Sequence, residues 1–136
     1  MKLSELVFGM PHRLAGPSRD PEVSSITHDS RRAAAGTLFA AFPGANADGR
    51  AFLGQAIARG AVAALGPAPA PEPLDVPYVE VGDPRAAAGV VAARFSGDPS
   101  ARLVMVGVTG TSGKTTTTLL IDRMLERRFA KRGLFP

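Results

Sequence analysis

Short runs of apolar residues alternate along the chain with longer segments in which apolar residues recur at helical spacing. The apolar runs predict strands at residues 22–29, 36–42, 61–65, 78–81 and 103–108. Helical spacing predicts a short helix within residues 1–14 and further helices at 48–59, 85–95 and from 114 onwards. Strands that alternate with helices are typical of an α/β fold, which we therefore predict for this chain.

Polar residues indicate where several of these helices begin. Asp48 and Asp83 each precede a helical pattern as an N-cap does, and Pro84 follows Asp83 in the first turn. Ser4 is the predicted cap of the first helix. Val90 is one of the residues predicted to anchor the third helix in the core.

Two stretches organise the chain into domains. Residues 66–77 hold five prolines among small and acidic residues, which predicts an extended connector between two strands of one domain. Residues 103–108 are almost continuously apolar, which is typical of a strand covered on both faces in a parallel sheet. A Gly-Asp-Pro sequence precedes that segment, so we place a domain boundary near 97–102 and predict domains at 1–97 and 98–136.

The composition indicates a soluble globular protein. The 136 residues are 45% hydrophobic and 21% charged, which is enough chain and enough apolar surface for a core. Without cysteine there are no disulfides or thiolate metal sites, and a reducing compartment is favoured. The start of the chain lacks the apolar stretch of a signal peptide, and no apolar run is long enough to span a bilayer. We therefore expect a cytoplasmic protein without a membrane partner.

The net charge of +4 raises the question of nucleic-acid binding. The whole excess of positive charge lies from residue 123 to the end, a segment with five basic residues and one acidic residue, Glu126. A protein that binds a phosphate backbone usually spreads its basic residues over a docking face. Here they gather at the end of one predicted helix, where basic side chains also suit the helix dipole. We therefore predict no nucleic-acid partner.

The strongest motif is a strand–loop–helix pattern that predicts a phosphate-binding loop for ATP. Gly110 and Gly113 let the backbone wrap closely around phosphate oxygens. Lys114 would reach the β- and γ-phosphates, and the Thr115 hydroxyl would ligate Mg²⁺. Val108 stands where the general pattern has an early glycine, so the motif is a variant form. The predicted nucleotide contacts are Gly110, Thr111, Ser112, Gly113, Lys114, Thr115 and Thr116.

Two more polar segments follow predicted strands, at the edge of an α/β sheet where ligands bind. In the first, Ser30 can donate and accept hydrogen bonds and Arg31 can bind an anion, but a capped turn explains the same residues equally well. His28 has no second histidine or cysteine nearby, which argues against a metal site. In the second, Asn46 could contact a planar base, although turn chemistry with Asp48 as a cap is the favoured interpretation.

Several blocks of residues carry a resemblance to a known family. They are Thr-His-Asp-Ser-Arg at 27–31, Gly-Thr-Leu-Phe-Ala-Ala at 36–41, Gly44 with Asp-Gly at 48–49, Phe52, Ala-Ile at 56–57, Gly-Ala at 60–61 and Gly-Val-Thr-Gly-Thr-Ser-Gly-Lys-Thr-Thr-Thr-Thr at 107–118. In order and spacing they resemble the Mur ligase family, and most closely its E type. The run of threonines after Lys114 is similar to the E type, whereas the F type usually continues differently.

The resemblance implies roles for these residues. The family's first domain holds the UDP part of the substrate, so Ser30 and the loop Ala45, Asn46 and Ala47 are implied uridine contacts. The family's phosphate loop also lacks the early glycine, so Val108 no longer counts against ATP binding. The implied reaction is ATP-dependent amide formation, in which the γ-phosphate activates a carboxylate as an acyl phosphate. Lys114 and Mg²⁺ would offset the charge of the transferring group.

The E type adds the third stem-peptide residue of peptidoglycan, such as diaminopimelate or lysine, to UDP-N-acetylmuramoyl-L-alanyl-D-glutamate. A Mur ligase has three domains, and resemblance stops one helix into the second. The family's acidic and histidine metal ligands, modified lysine, base contacts and amino-acid-binding domain have no match here. We therefore expect an N-terminal fragment, inactive alone, that a frameshift or early stop produced.

Three other interpretations stay open at this point. The chain could be a fragment of an F-type ligase, which shares the Asp-Ser-Arg and phosphate-loop blocks. It could be a non-catalytic module that binds UDP-muramyl peptides. It could also be an unrelated P-loop NTPase or kinase, which the Asp-Ser-Arg block at 29–31 argues against.

Overall fold

The computed structural model describes residues 1–44, 48–128 and 133, and it divides into two compact units, Met1–Ala101 and Arg102–Pro136. Strands of the first unit are β1 Arg13–Ala15, β2 Ser25–Thr27, β3 Thr37–Ala40, β4 Ala61–Pro67 and β5 Tyr78–Val81. Helices of the first unit are α1 Leu3–Val7, α2 Leu53–Ala58 and α3 Pro84–Phe95. Short 3-10 turns occupy Ser30–Arg32, Gly49–Phe52 and Pro99–Arg102, and helix α4 of the second unit is Lys114–Leu125.

The strands of the first unit form one sheet in the order β1-β5-β4-β3-β2. Strands β2 to β5 pair in parallel, while β1 pairs antiparallel with β5 at the edge. The predicted α/β class is thus confirmed as a mixed sheet with helices. Because four strands run parallel, the loops that follow them emerge at a common edge.

Helices cover both faces of the sheet, and the two faces differ in composition. In β3, Leu38 faces a cluster of leucines and valines that includes residues of α1 and α3. The neighbouring Phe39 faces a second cluster, in which Tyr78 and several alanines pack with α2. The Arg94 guanidinium in α3 donates to the carbonyl of Leu6 in α1 at 2.8 Å, which ties the two helices together.

The predicted caps of two helical segments are confirmed, and that of the first helix is wrong. The Asp48 and Asp83 carboxylates accept backbone N–H bonds from the turns that follow them. Ser4 lies inside α1, where its N–H and hydroxyl both donate to the carboxylate of Asp20, at 2.9 and 2.8 Å. Asp20 therefore satisfies the open end of this short helix from outside it. Val90 was also misplaced, since it is 41% exposed while its neighbour Val91 is buried.

The proline-rich stretch 66–77 links the parallel strands β4 and β5, and β4 takes in its first two residues. The Glu80 side chain in β5 is buried and accepts a hydrogen bond from the N–H of Ala70 at 2.7 Å. The guanidinium of the exposed Arg13 lies 3.5 Å from the same carboxylate. Strand β5 thereby holds the middle of the connector against the sheet.

The predicted strand at 103–108 is absent from the structure. The segment has no regular secondary structure, and the side chains of Leu103, Val104 and Met105 are exposed, Val104 by 92%. A strand needs a hydrogen-bonded neighbour, and the described residues of the second unit contain no other strand. Among the described residues, no helix is long and apolar enough to cross a membrane.

The environment of Tyr78, the one tyrosine in the sequence, predicts an unusual alkaline titration. Burial raises the pKa of its phenol from 10.0 to about 12, and its hydroxyl donates to the carbonyl of Pro67 at 3.1 Å. Tyrosinate absorbance of the folded protein should therefore appear near pH 12. As the pH rises, Tyr78 ionises in the unfolded chain before it ionises in the folded protein. The stability that neutral Tyr78 contributes is therefore fully present below pH 10.0 and is lost as the pH rises from 10.0 to about 12. Titration of the folded protein near 10 would contradict this assignment.

Candidate functional site

A cleft opens at the edge of the sheet where the parallel strands end. Its volume is about 420 Å³, and it is lined by His28, Phe42, Gly49, Phe52 and Arg85. His28 follows β2, Phe42 follows β3 and Arg85 lies in the first turn of α3, after β5. Small-molecule sites in proteins have volumes of about 300–1,000 Å³, and open α/β sheets bind ligands at this edge. The cleft is therefore the candidate binding site of the first unit.

An aromatic and cationic stack forms one part of this cleft. The rings of His28 and Phe42 stack with centroids 5.8 Å apart and planes inclined by 30°. The central carbon of the Arg85 guanidinium lies over the Phe42 ring, 5.3 Å from its centroid. At this distance the positive charge is attracted to the negative face of the ring. Phe42 thus holds the Arg85 head at the cleft.

A glycine brings the loop after β3 close to Phe42. The Gly49 N–H donates to the Phe42 carbonyl at 2.9 Å, and Pro43 bridges to Asp48 in the antiparallel sense. A Cβ added to Gly49 would lie 2.6 Å from the Phe42 carbonyl oxygen and 2.7 Å from its nitrogen. The backbone leaves no room for a side chain, so glycine is required at this position. The predicted contacts Ala45, Asn46 and Ala47 fall outside the described residues.

The predicted contact Ser30 is not among the residues that line the cleft, and it has a protein partner. It is buried in the turn after β2, where its hydroxyl donates to the Gln55 side-chain oxygen at 2.5 Å. Arg31 is also paired, since its guanidinium donates twice to the Asp29 carboxylate at 2.9 Å. Those hydrogen bonds lower the pKa of Asp29 to about 2. The role of Ser30 toward uridine stays a prediction.

The predicted phosphate loop is described within the second unit. Gly110 and Gly113 both have positive φ, at 152° and 75°, and helix α4 starts directly after Gly113. The Lys114 ammonium donates to the carbonyl of Gly110 at 2.5 Å, across the loop. The backbone conformation thus needs both glycines, and the lysine lies over the loop from which it would reach a phosphate. ATP binding by these residues stays a prediction.

Metal ligands are not assembled in the parts of the chain that the structure describes. No group of three or more histidine, aspartate or glutamate side chains lies close enough there to hold an ion. The predicted Mg²⁺ ligand Thr115 lies in the first turn of α4 and is exposed. One protein hydroxyl can supply a single ligand to a Mg²⁺ ion whose other ligands include substrate phosphates.

Sequence reasoning missed Phe42, Phe52 and Arg85 as lining residues of the cleft. Phe42 ends the strand predicted at 36–42 and Phe52 lies within the helix predicted at 48–59, so their local patterns indicate no binding role. Arg85 belongs to the helix predicted at 85–95. A cation in the first turn of a helix is unfavourable toward the helix dipole, and that mismatch was the available signal.

Comparison with known proteins identifies the family of this chain. Residues 22–96 match the model of the Mur ligase family, catalytic domain. The chain belongs to the Mur ligase family. It is 43% identical over 127 residues to a UDP-N-acetylmuramoyl-L-alanyl-D-glutamate–2,6-diaminopimelate ligase of Solibacter usitatus, covering 92% of this chain and 26% of that relative.

Two further relatives extend the comparison of this Mur ligase chain. A ligase of the same name from Geobacillus kaustophilus is 41% identical over 134 residues, covering 98% of this chain and 27% of the relative. The crystal structure of MurF from Acinetobacter baumannii superposes with a TM-score of 0.67 at 28% identity, covering 92% of this chain and 27% of that one. The chain thus spans about a quarter of the length of the curated relatives.

Proposed function

We propose that this chain is part of an ATP-dependent ligase of peptidoglycan synthesis, one that adds the third stem-peptide residue to UDP-N-acetylmuramoyl-L-alanyl-D-glutamate. The observation that carries the proposal is the cleft at the carboxyl edge of the parallel strands, in a chain similar to ligases with that named substrate. Such an edge is where open α/β sheets hold nucleotides. Residues 1–97 would form the domain that binds the UDP-muramyl substrate.

Within that domain, Ser30 and the loop Ala45, Asn46 and Ala47 would contact the uridine. The Ser30 hydroxyl donates a hydrogen bond to Gln55, and its oxygen can still accept a hydrogen bond from a ligand. Gln55 is exposed, and its amide group offers two further donors next to Ser30. Ser30 and Gln55 would thus supply a small number of placed polar groups that orient the uridine.

Residues 98–136 would begin the ATP-binding domain, with Gly110, Gly113 and Lys114 around the phosphates. The two glycines hold a loop conformation that side chains oppose, which suits backbone N–H groups that point at phosphate oxygens. Lys114 would balance phosphate charge, and the Thr115 hydroxyl would ligate Mg²⁺. ATP supplies the phosphoryl group that activates the substrate carboxylate for attack by an amine, either diaminopimelate, lysine or a similar amino acid.

Two alternatives have specific support. An F-type ligase is favoured by the superposition on MurF at a TM-score of 0.67. A non-catalytic UDP-muramyl-peptide-binding module is favoured by the cleft, whose lining residues all belong to the first unit. Because the family's metal ligands and amino-acid-binding domain have no match in these 136 residues, we expect negligible ligase turnover from them alone.

Titration calorimetry with UDP-N-acetylmuramoyl-dipeptide tests the proposal, and a GDP-sugar provides the control for nonspecific nucleotide binding. We expect saturable binding of UDP-N-acetylmuramoyl-dipeptide and no saturable binding of the GDP-sugar. A Lys114→Ala variant should leave that binding unchanged and weaken ATP binding by about 10- to 100-fold, because a charged hydrogen-bond donor is lost. Absence of UDP-muramyl binding would defeat the proposal. Phosphate release that requires both ATP and the UDP-muramyl dipeptide would overturn the expected inactivity.

A further inference from the structure

Arg85 differs from Arg31 and Arg50, which lie close in sequence to the cleft-lining residues His28 and Gly49. Arg31 pairs with Asp29 and Arg50 pairs with Asp48, so each of those positive charges is neutralised by a neighbouring carboxylate. Within residues 1–44, 48–128 and 133, no carboxylate lies within ion-pair distance of the Arg85 guanidinium, whose contact is the Phe42 ring. Arg85 is exposed, and no acidic residue among those that the structure describes lines the cleft. The cleft therefore carries a positive charge that the protein does not neutralise.

We infer that Arg85 binds the diphosphate of a nucleoside-diphosphate sugar in this cleft, with Phe42 as the residue that positions it. The inference rests on the proposed function, because it concerns the substrate of the same site. A guanidinium stacked on a ring keeps its N–H groups free at its edge, where two of them bind one phosphate in parallel. An arginine that already had a carboxylate partner would have to give up that partner first.

The position of Phe42 is itself fixed by the backbone. The Gly49 N–H bonds to the Phe42 carbonyl, and the close approach excludes any side chain at Gly49. With the Phe42 backbone held there, the Arg85 guanidinium lies over the Phe42 ring at the cleft. A side chain held in place loses less conformational freedom when it binds a ligand. The stack thus prepares a flexible side chain for anion binding.

A purely structural role for the stack makes a different prediction. If the cation–π contact served only to secure the start of α3, an Arg85 variant would lower the thermal midpoint and leave ligand affinity unchanged. If Arg85 binds the diphosphate, affinity depends on whether the ligand carries phosphate. Uridine and UDP share the base and ribose, so their comparison isolates the diphosphate contribution.

The test is titration calorimetry of the 136-residue chain with UDP and with uridine. Arg85→Gln should raise the Kd for UDP by about 10- to 100-fold and change the Kd for uridine by less than about twofold. Arg85→Lys should recover only part of the UDP affinity, since an ammonium lacks the planar pair of donors. Phe42→Leu should raise the Kd for UDP by about two- to fivefold, the size of an exposed cation–π contact. Arg19→Gln removes another exposed positive charge that does not line the cleft and should leave both Kd values unchanged.

Each contrary outcome has a separate meaning. Unchanged UDP affinity in Arg85→Gln would overturn the inference, and the proposed function would stand. Equal weakening of UDP and uridine would also overturn it, because the residue would then shape the cleft and not bind phosphate. Failure of the wild-type chain to bind either UDP or UDP-N-acetylmuramoyl-dipeptide would remove the proposed function and this inference with it.

Discussion

Replacing Phe39 by alanine is expected to lower the free energy of unfolding of the first unit by about 3–5 kcal/mol, the usual loss for a buried ring. Phe39 is 1% exposed and lies in β3, an interior strand of the sheet between β4 and β2. Alanines dominate its cluster, among them Ala41, Ala56 and Ala64. Alanine has no side-chain torsion with which to move into the vacated volume, so the cavity would stay open and the loss should lie at the upper end.

Urea denaturation followed by circular dichroism measures this loss, with Phe8→Ala as the matched control. Phe8 is 79% exposed, so the same change in chemistry should cost less than about 1 kcal/mol there. Similar losses for the two variants would contradict the location of Phe39 in the core. A change in the denaturant slope would indicate an effect on the unfolded chain instead.

Replacing Gly60 by alanine is expected to cost about 2–5 kcal/mol, because two penalties combine. Gly60 has φ of +103°, a backbone conformation that a side chain opposes. A Cβ there would also lie 2.8 Å from the nitrogen and 2.9 Å from the Cα of Ala35, and backbone atoms cannot move aside cheaply. The same residue leads from α2 into β4, so its distortion would reach the middle of the sheet.

Gly54→Ala is the control for this substitution. Gly54 lies inside α2, and an added Cβ would meet no atom within 4 Å. The alanine should therefore stabilise the first unit by about 0.5–1 kcal/mol through helix propensity. The two variants should shift the thermal midpoint in opposite directions. A shift in the same direction would contradict the conformation assigned to Gly60.

Local patterns were sufficient to place most elements of the first unit. The predicted strand at residues 78–81 coincides with β5, and Asp83 caps α3 as predicted, because both signals depend on neighbours in sequence. The strand β1 was missed, since Arg13–Ala15 is short, lies near glycine and proline, and pairs with residues far along the chain. Strand order depends on such long-range pairing, and nothing in a local window encodes it.

In the candidate site, too, local patterns predicted some features, whereas features that depend on long-range contacts were missed. Glycine spacing predicted the loop at Gly110 and Gly113, and the structure gives both residues positive φ. The stack of Phe42 and Arg85 joins a residue that follows β3 to a residue in the first turn of α3, and only the folded sheet brings the two together. The predicted strand at 103–108 was wrong because its apolar pattern reports what the segment can bury, whereas strand formation also requires a partner.

The proline-rich link between β4 and β5 affects the unfolded chain as well as the native one. Parallel strands are commonly joined through a helix, whose internal hydrogen bonds offset the conformational entropy that the helix loses on folding. This link has five prolines, so much of its backbone is restricted before folding begins. Less conformational entropy is then lost when the link takes its native path. The prolines thus stabilise the pairing of β4 with β5 partly by lowering the conformational entropy of the denatured chain.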